Sequence, residues 1–529
     1  MVIALRRVLI SDEVDPKCVK ILENNGIEVI KNTKLSKEEL LAEIPKYDGL
    51  IVRSATKVTA DVINAASNLK IIGRAGTGVD NIDCQAATRR GVIVMNTPGG
   101  NTLSAAEHTC TLIIAMTREL TLAAQSMKEG KWDRKRFMGS ELNGKTLGII
   151  GLGRIGKEVA QRMQSFGMRT IGYDPIIGGD VCSEWGVEWL PMEQIWPQVD
   201  YITVHTPLIP QTKNLINDTV FSACKKGVRV VNCARGGIID EDALLRALES
   251  GQCAGAGLDV FVEEPPKDSP IVKHPKVIAT PHLGASTIEA QTRVAEEIAQ
   301  QFVDLTNGTS LFGAINAPAL ANALSPETKP LVSLGESLGS LASAVAAGAS
   351  KSVQLTTYGA SLSNAGKYLN AAVLAGYLRN LASGDHVLNL VNSPVLAKEA
   401  DLQVDVKHED TVPGSFCCLV AVTIQTSEGP ITFKGTVSGS NATLVEIQGA
   451  AFSIPPVLRG PALVFKGNNS ALLSVANGLE KVGSRLTSLS LSQEVDSALW
   501  GVVHLDKSLN SSFSTVVGDS LQAAHQIVF

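Results

Sequence analysis

The chain has 529 residues, 44% of them apolar and 19% charged. That is too long for one hydrophobic core and too apolar for a disordered chain, so several folded domains are expected. A net charge of -5 gives no basic field for a nucleic-acid or anionic-membrane partner.

Nine scattered cysteines with no Cys-x-x-Cys pair predict no metal site and no disulfide framework, and they fit a reducing compartment. Met1–Ser11 runs into Asp12 and Glu13 too soon for a secretory signal, and no apolar run is long enough to span a bilayer. A cytoplasmic protein is expected.

In chain order, β-branched runs at Arg7–Ser11, Gly49–Arg53, Leu69–Arg74 and Val92–Asn96 alternate with helical patterns at Asp15–Asn24 and Thr59–Ala66. This alternation predicts a parallel sheet covered by helices. Thr97-Pro98-Gly99-Gly100-Asn101 breaks it, and one long helix is expected over Leu103–Met127. A second βαβ series begins at Lys145, with strands near 146–150, 169–173, 201–205, 229–233, 255–260 and Val277–Thr280. A helix over Ile288–Asn307 follows.

Beyond Gly313 the chain turns rich in Ala, Ser, Leu and Gly. A helix near 331–346 and strands at 417–424, 431–437 and 442–447 are predicted there. The last part reads β-α-β-β-α-β: Ala462–Phe465, Ala471–Val482, Leu486–Leu491, Leu499–Leu505, Val516–Ala524 and Gln526–Phe529. That order suits a small ferredoxin-like module.

The strand Lys145–Ile150 leads straight into Gly151-Leu152-Gly153-Arg154-Ile155-Gly156, and Lys157–Phe166 continues as a helix. Gly151 permits the turn, Gly153 lets a pyrophosphate approach the backbone, and Gly156 lets helix and strand pack closely. The helix start offers free N–H groups to phosphate. Arg154 adds a charge and Ile155 covers the cofactor. Asp174, at the end of the next strand, suits the ribose hydroxyls and repels a 2′-phosphate, which favours NAD over NADP.

Three later strand ends carry groups suited to hydride chemistry: Asn232–Gly237, Asp259–Pro265 and Thr280–Gly284. His282 is a proton acceptor and donor near neutral pH, Glu264 a carboxylate able to fix its tautomer, and Arg235 a rigid fork for a substrate carboxylate. Asp240 reads as the N-cap of a helix over Glu241–Ser250 closed by Gly251.

Taken with Val52–Thr56, Gly73–Asn81, Ser104–Glu107 and Lys131–Arg134, these segments resemble the D-isomer-specific 2-hydroxyacid dehydrogenases over most of residues 5–315. The resemblance implies an α/β fold with two Rossmann-like, doubly wound parallel-sheet domains and a cleft, followed by a C-terminal α+β intervening domain and a ferredoxin-like (ACT-like) domain. The implied boundaries are 1–98 with 283–313 for the substrate domain, 99–282 for the NAD domain, then 314–455 and 456–529. His282 is implied as acid/base in contact with the cofactor, Glu264 as its partner and Arg235 as the carboxylate anchor. Arg53, Arg74, Gly76, Gly78 and Asn101 are implied in the substrate pocket. Arg134 is implied to reach a neighbouring subunit's site, which requires a homo-oligomer, dimer or tetramer. Thr77, Thr206, Cys233 and Asp259 join the cofactor site.

The three arginines outside the strand-end set suit a substrate with a phosphate as well as a carboxylate. The implied reaction is oxidation of D-3-phosphoglycerate to 3-phosphohydroxypyruvate in serine synthesis. A glyoxylate/hydroxypyruvate reductase or other D-2-hydroxyacid dehydrogenase is the alternative within the family, and an NAD-sensing corepressor is the alternative outside enzymes. Phe465–Ala471 lacks the His, Pro and Gly of the serine-binding turn of bacterial relatives, which argues against serine inhibition by that route.

Overall fold

The computed structural model describes residues 3–320, 323, 325–346, 352–379, 388–426, 429–468, 470–509 and 521–529. The chain divides into two compact units. One comprises Met1–Ala75, Val79–Asn96 and Ile298–Phe529, the other Gly76–Gly78 and Thr97–Glu297.

The first unit opens with a five-stranded parallel sheet in spatial order Glu28–Lys31, Arg7–Ile10, Gly49–Val52, Ile71–Arg74, Ile93–Asn96. Gly49–Val52 is buried at every position, as a strand covered on both faces must be. A mixed six-stranded sheet follows, in order Gln403–Glu409, Ser352–Tyr358, Leu419–Thr426, Gly429–Ser438, Asn441–Ile447, Ala450–Ala451.

The helices Lys329–Ala346 and Gly366–Leu378 pack together beside that sheet. Added β-carbons at Gly339 and Gly376 would overlap Val373 and Glu336 carbonyl oxygens, so small residues set the close helix crossing.

The terminal sheet runs Leu486–Leu491, Leu499–Leu505, Pro461–Gly467, Leu521–Val528, all antiparallel, with the helix Ala471–Lys481 between its first two strands in the chain. This is the ferredoxin-like strand order.

The second unit holds a seven-stranded parallel sheet: Val277–Ala279, Cys253–Leu258, Val228–Asn232, Tyr201–Val204, Thr146–Ile150, Arg169–Tyr173, Glu188–Trp189. Order reverses on either side of Thr146–Ile150, and ligands bind doubly wound sheets at such a switch point. Asp240 caps the helix Glu241–Ser250 through Ala243 N–H (3.0 Å), and Gly251 closes it in the left-handed region.

Two expected elements are corrected. The helix expected over Leu103–Met127 is two helices, Thr102–Thr117 and Leu120–Lys128, with Glu119 left-handed between them (φ 47°). Ser140 N–H bonds the Thr117 carbonyl, an acceptor that a continuing helix would need for its own ladder. In the terminal module, the expected helix Val516–Ala524 fails over Leu521–Ala524, which belongs to the strand Leu521–Val528 paired with Pro461–Gly467. Pairing at the sheet edge overrides the helical bias of Leu-Gln-Ala-Ala there. Residues 516–520 lie outside the described residues.

Candidate active site

In the second unit, the strand Thr146–Ile150 ends at Gly151, whose φ of 96° suits glycine alone. Its N–H bonds Tyr173 O (2.9 Å), and His205 N–H bonds Ile150 O (2.7 Å). Gly153 is the N-cap of the helix Arg154–Gln164 and supplies no side-chain cap. A β-carbon there would meet nothing within 4 Å, whereas one at Gly156 would overlap Gly151 O. The loop is therefore closed toward the sheet and open at Gly153, where the first N–H groups of the helix are exposed to an anion.

Asp174 Oδ2 accepts Leu152 N–H (2.9 Å), and Oδ1 accepts Ile176 and Ile177 N–H (2.8 and 3.0 Å). The carboxylate thus shapes the glycine loop. Thr206 Oγ1 is buried with no partner among the described residues, as a hydroxyl reserved for a ligand would be. Thr77 Oγ1 donates to Asn101 Oδ1 (2.6 Å) and Thr97 O (3.2 Å), which brings these two expected residues together. Arg154 lies exposed at the helix start with Nη1 3.4 Å from Pro98 O, and Ile155 is half-buried beside it. This arrangement fits a dinucleotide.

His282 follows the strand Val277–Ala279 with φ 55°. Its Nδ1 lies 2.8 Å from Glu264 Oε2, and Glu264 Oε1 accepts Phe261 N–H (3.1 Å). An ionised carboxylate only accepts, so Nδ1 carries the proton and Nε2 keeps a free lone pair. The ring remains about half exposed (51% of its side chain), open to a substrate.

Arg235 sits in the turn after Val228–Asn232. Asn232 shapes that turn, donating from Nδ2 to Arg235 O (2.8 Å) and accepting Ala234 N–H (2.9 Å). A β-carbon on Gly236 would overlap Phe261 O, so the loops carrying Arg235 and Glu264 touch backbone to backbone.

Asp259 is fully buried. Oδ1 takes bonds from His108 Nε2 (3.2 Å), Thr280 Oγ1 (2.6 Å) and Leu283 N–H (2.7 Å), and Oδ2 takes one from Gly284 N–H (2.8 Å). Burial pushes its pKa up, but these hydrogen bonds outweigh that and hold it below the usual value. The carboxylate therefore holds the Thr280 side chain before His282 and the backbone after it. His108, Cys233 and Asp259 place potential metal-ligating atoms within 4.8 Å of one another, but Asp259 Oδ1 is saturated by donors. Burial drives the Cys233 thiol up to about 12, so it stays neutral.

Sequence reasoning missed His108 and His205. His108 follows Ser104 by one turn on Thr102–Thr117, and the pair reaches Thr280 (3.1 Å from His108) and Thr287 (2.7 Å from Ser104). That i,i+4 spacing was the available signal. Burial pushes His205 down to about 4, so it is neutral behind Gly151.

In the first unit, Arg53 and Arg74 are joined by Asn81, which donates to Arg53 O (2.7 Å) and accepts Arg74 Nε (3.0 Å). Buried Asp12 accepts Arg53 N–H (2.6 Å) and Thr56 N–H (3.1 Å). Arg134 lies on the exposed segment that follows Leu120–Lys128, next to Trp132 at 76% exposure.

A glycine loop at a switch point, an acid behind it and a His–Glu pair beside an arginine define an NAD-dependent 2-hydroxyacid dehydrogenase. Residues 110–284 match the family model for the NAD-binding domain of D-isomer specific 2-hydroxyacid dehydrogenases, and residues 327–448 match that for the D-3-phosphoglycerate dehydrogenase intervening domain. The chain is 55% identical over 515 residues to D-3-phosphoglycerate dehydrogenase of Homo sapiens, covering 96% of each chain.

It is also similar to D-lactate dehydrogenase from Aquifex aeolicus solved with NAD and lactic acid (28% identity, TM-score 0.52, 57% of this chain and 96% of that one). A glyoxylate reductase from Paecilomyes thermophila matches at 27% identity and TM-score 0.54, over 59% of this chain and 98% of that one. The chain belongs to the D-3-phosphoglycerate dehydrogenase family.

Proposed function

We propose that the protein oxidises D-3-phosphoglycerate to 3-phosphohydroxypyruvate with NAD, in the synthesis of L-serine. The observation that carries this assignment is the His282–Glu264 pair at 2.8 Å, held on strand-end loops together with Arg235. NAD seated along Gly151–Gly156 supplies the nicotinamide ring that accepts the substrate hydride.

His282 Nε2 takes the hydroxyl proton while Glu264 stabilises the positive charge that forms on the ring. The Arg235 fork holds the substrate carboxylate and polarises the keto oxygen in the reverse reaction. Asp174 binds the cofactor's adenine ribose, and Thr77, Thr206, Cys233 and Asp259 join the cofactor site. Arg53, Arg74, Gly76, Gly78 and Asn101 bind the substrate, the two arginines taking its phosphate. Residues 1–98 with 283–313 serve as the substrate domain, 99–282 as the NAD domain, 314–455 as the intervening domain and 456–529 as the regulatory domain.

Arg134 completes the site of a neighbouring subunit in a homotetramer. The exposed apolar side chains Leu120, Met127, Trp132 and Met138 on the same stretch of chain support such an interface. A cytoplasmic location agrees with the nine free cysteines and with the lack, among the described residues, of a helix long and apolar enough to cross a membrane.

The test is NADH formation from D-3-phosphoglycerate and from D-glycerate, by wild type, His282→Ala and Arg134→Ala at several protein concentrations. Turnover confined to the phosphorylated acid and lost in His282→Ala is expected. Full turnover by His282→Ala, or equal use of both acids, refutes the assignment.

A further inference from the structure

The strand Gln403–Glu409 is the outer strand of the six-stranded sheet and is exposed at all seven of its positions. It pairs in parallel with Ser352–Tyr358 in unbroken register. Gly359 N–H bonds Glu409 O at 2.8 Å. In a parallel ladder this makes the odd-numbered residues those bonded inward. The N–H and C=O groups of Val404, Val406 and His408 therefore point outward, and among the described residues none of them has a backbone partner.

Edges of this kind are normally blunted by a bulge, a proline or unmatched charge. This one has no bulge and no proline, and it shows Val404 and Val406 to solvent. Its charges are self-complementary. Asp405 and Lys407 lie on one face, 3.2 Å apart and both more than half exposed, with Asp405 also bonded by Gln354 Nε2 (2.8 Å).

We propose that Gln403–Glu409 is a docking edge for a second copy of this chain, pairing antiparallel with its own counterpart about a two-fold axis through Val406. In that register outward residues meet outward residues. Val406 exchanges both backbone bonds with Val406 of the second copy, and Val404 does so with His408. Asp405 stands opposite Lys407, and Lys407 opposite Asp405, which forms a cross-strand charge quartet.

Centring on Asp405 stacks two aspartates, centring on Lys407 stacks two lysines, and parallel self-pairing does both. Like charges directly opposite are destabilising, so charge rejects those arrangements, and the Val406-centred register is the antiparallel one that pairs all seven residues. Gln403 then faces Glu409, an amide donor against an acceptor. The ladder is about 23 Å long, smaller than a full permanent interface, so the step it drives is concentration-dependent. It is independent of the interface proposed around Arg134, because Arg134 belongs to the other unit.

Sedimentation velocity of the full-length protein across a wide dilution series tests this. Wild type is expected to show a self-association step. Asp405→Lys and Lys407→Asp should each weaken it about tenfold or more, and the doubly swapped protein should restore it. Val406→Pro removes an outward N–H without touching the inner ladder, and it should abolish the step with unchanged circular dichroism and thermal unfolding. A single reversal that leaves the step unchanged overturns the proposal. So does a doubly swapped, folded protein that fails to regain it, or a wild type with no step sensitive to Val406→Pro.

Discussion

The glycine loop permits a sharp test, because one methyl group placed at two of its positions should have opposite consequences. At Gly156 the new β-carbon would overlap Gly151 O and lie 3.1 Å from Gly151 C. Those atoms are backbone and cannot rotate away, so helix and strand must separate. Overpacking of this kind costs about 1–3 kcal/mol, offset by up to about 1 kcal/mol of helix propensity gained on replacing glycine. A net loss of about 1–2 kcal/mol lowers Tm by about 2–8 °C in a unit of this size.

At Gly153 the same methyl meets nothing within 4 Å, and the local φ of -64° suits alanine. Apo stability should change by less than about 0.5–1 kcal/mol. The methyl nevertheless fills the approach of the pyrophosphate, and a few kcal/mol of lost contact raises the NADH Kd about 10- to 100-fold. The assay is thermal unfolding of each apo protein alongside NADH fluorescence titration. A Gly153→Ala protein that binds NADH within about twofold of wild type, or a Gly156→Ala protein as stable as wild type, refutes this placement of the cofactor.

Two further outcomes follow from the charges. His205 is pushed from an ordinary value of 6.5 down to about 4 by burial, so the unfolded chain binds the extra proton first. It contributes up to about 3 kcal/mol, fully present above pH ~6.5 and lost as pH falls toward ~4. His205→Asn should therefore show a weaker fall in denaturant midpoint between pH 7 and pH 5 than wild type, and an identical pH profile refutes this. Glu264→Gln keeps an acceptor for His282 Nδ1 but removes the charge that stabilises the protonated ring. With the pair half exposed, kcat should drop about 10- to 100-fold with little change in substrate KM, and an unchanged kcat refutes the role given to Glu264.

The strongly periodic parts of the chain were legible because local preference and tertiary role agree there. The amphipathic pattern near Ile288–Asn307 coincides with the helix there, and Gly151–Gly156 lies between the strand and the helix that its spacing requires. Where the two disagree, the pattern misled. Gly366–Leu378 is buried at nearly every position, so it has no polar face to mark it as a helix. Leu521–Ala524 carries a helical local bias that the neighbouring strand overrules.

The site divides in the same way. His282, Glu264 and Arg235 announce themselves because each is a reactive type in a strand-end motif. What holds them does not, since the hold comes from groups far apart in sequence. Asp259 holds the Thr280 hydroxyl before His282 and the Leu283 and Gly284 N–H groups after it, and His108, 151 residues away, supplies it with a donor. No spacing rule links a helix face to a strand-end carboxylate. Removing His108 leaves the recognisable motifs whole while loosening the geometry on which their chemistry depends, so the motifs alone understate what the active site requires.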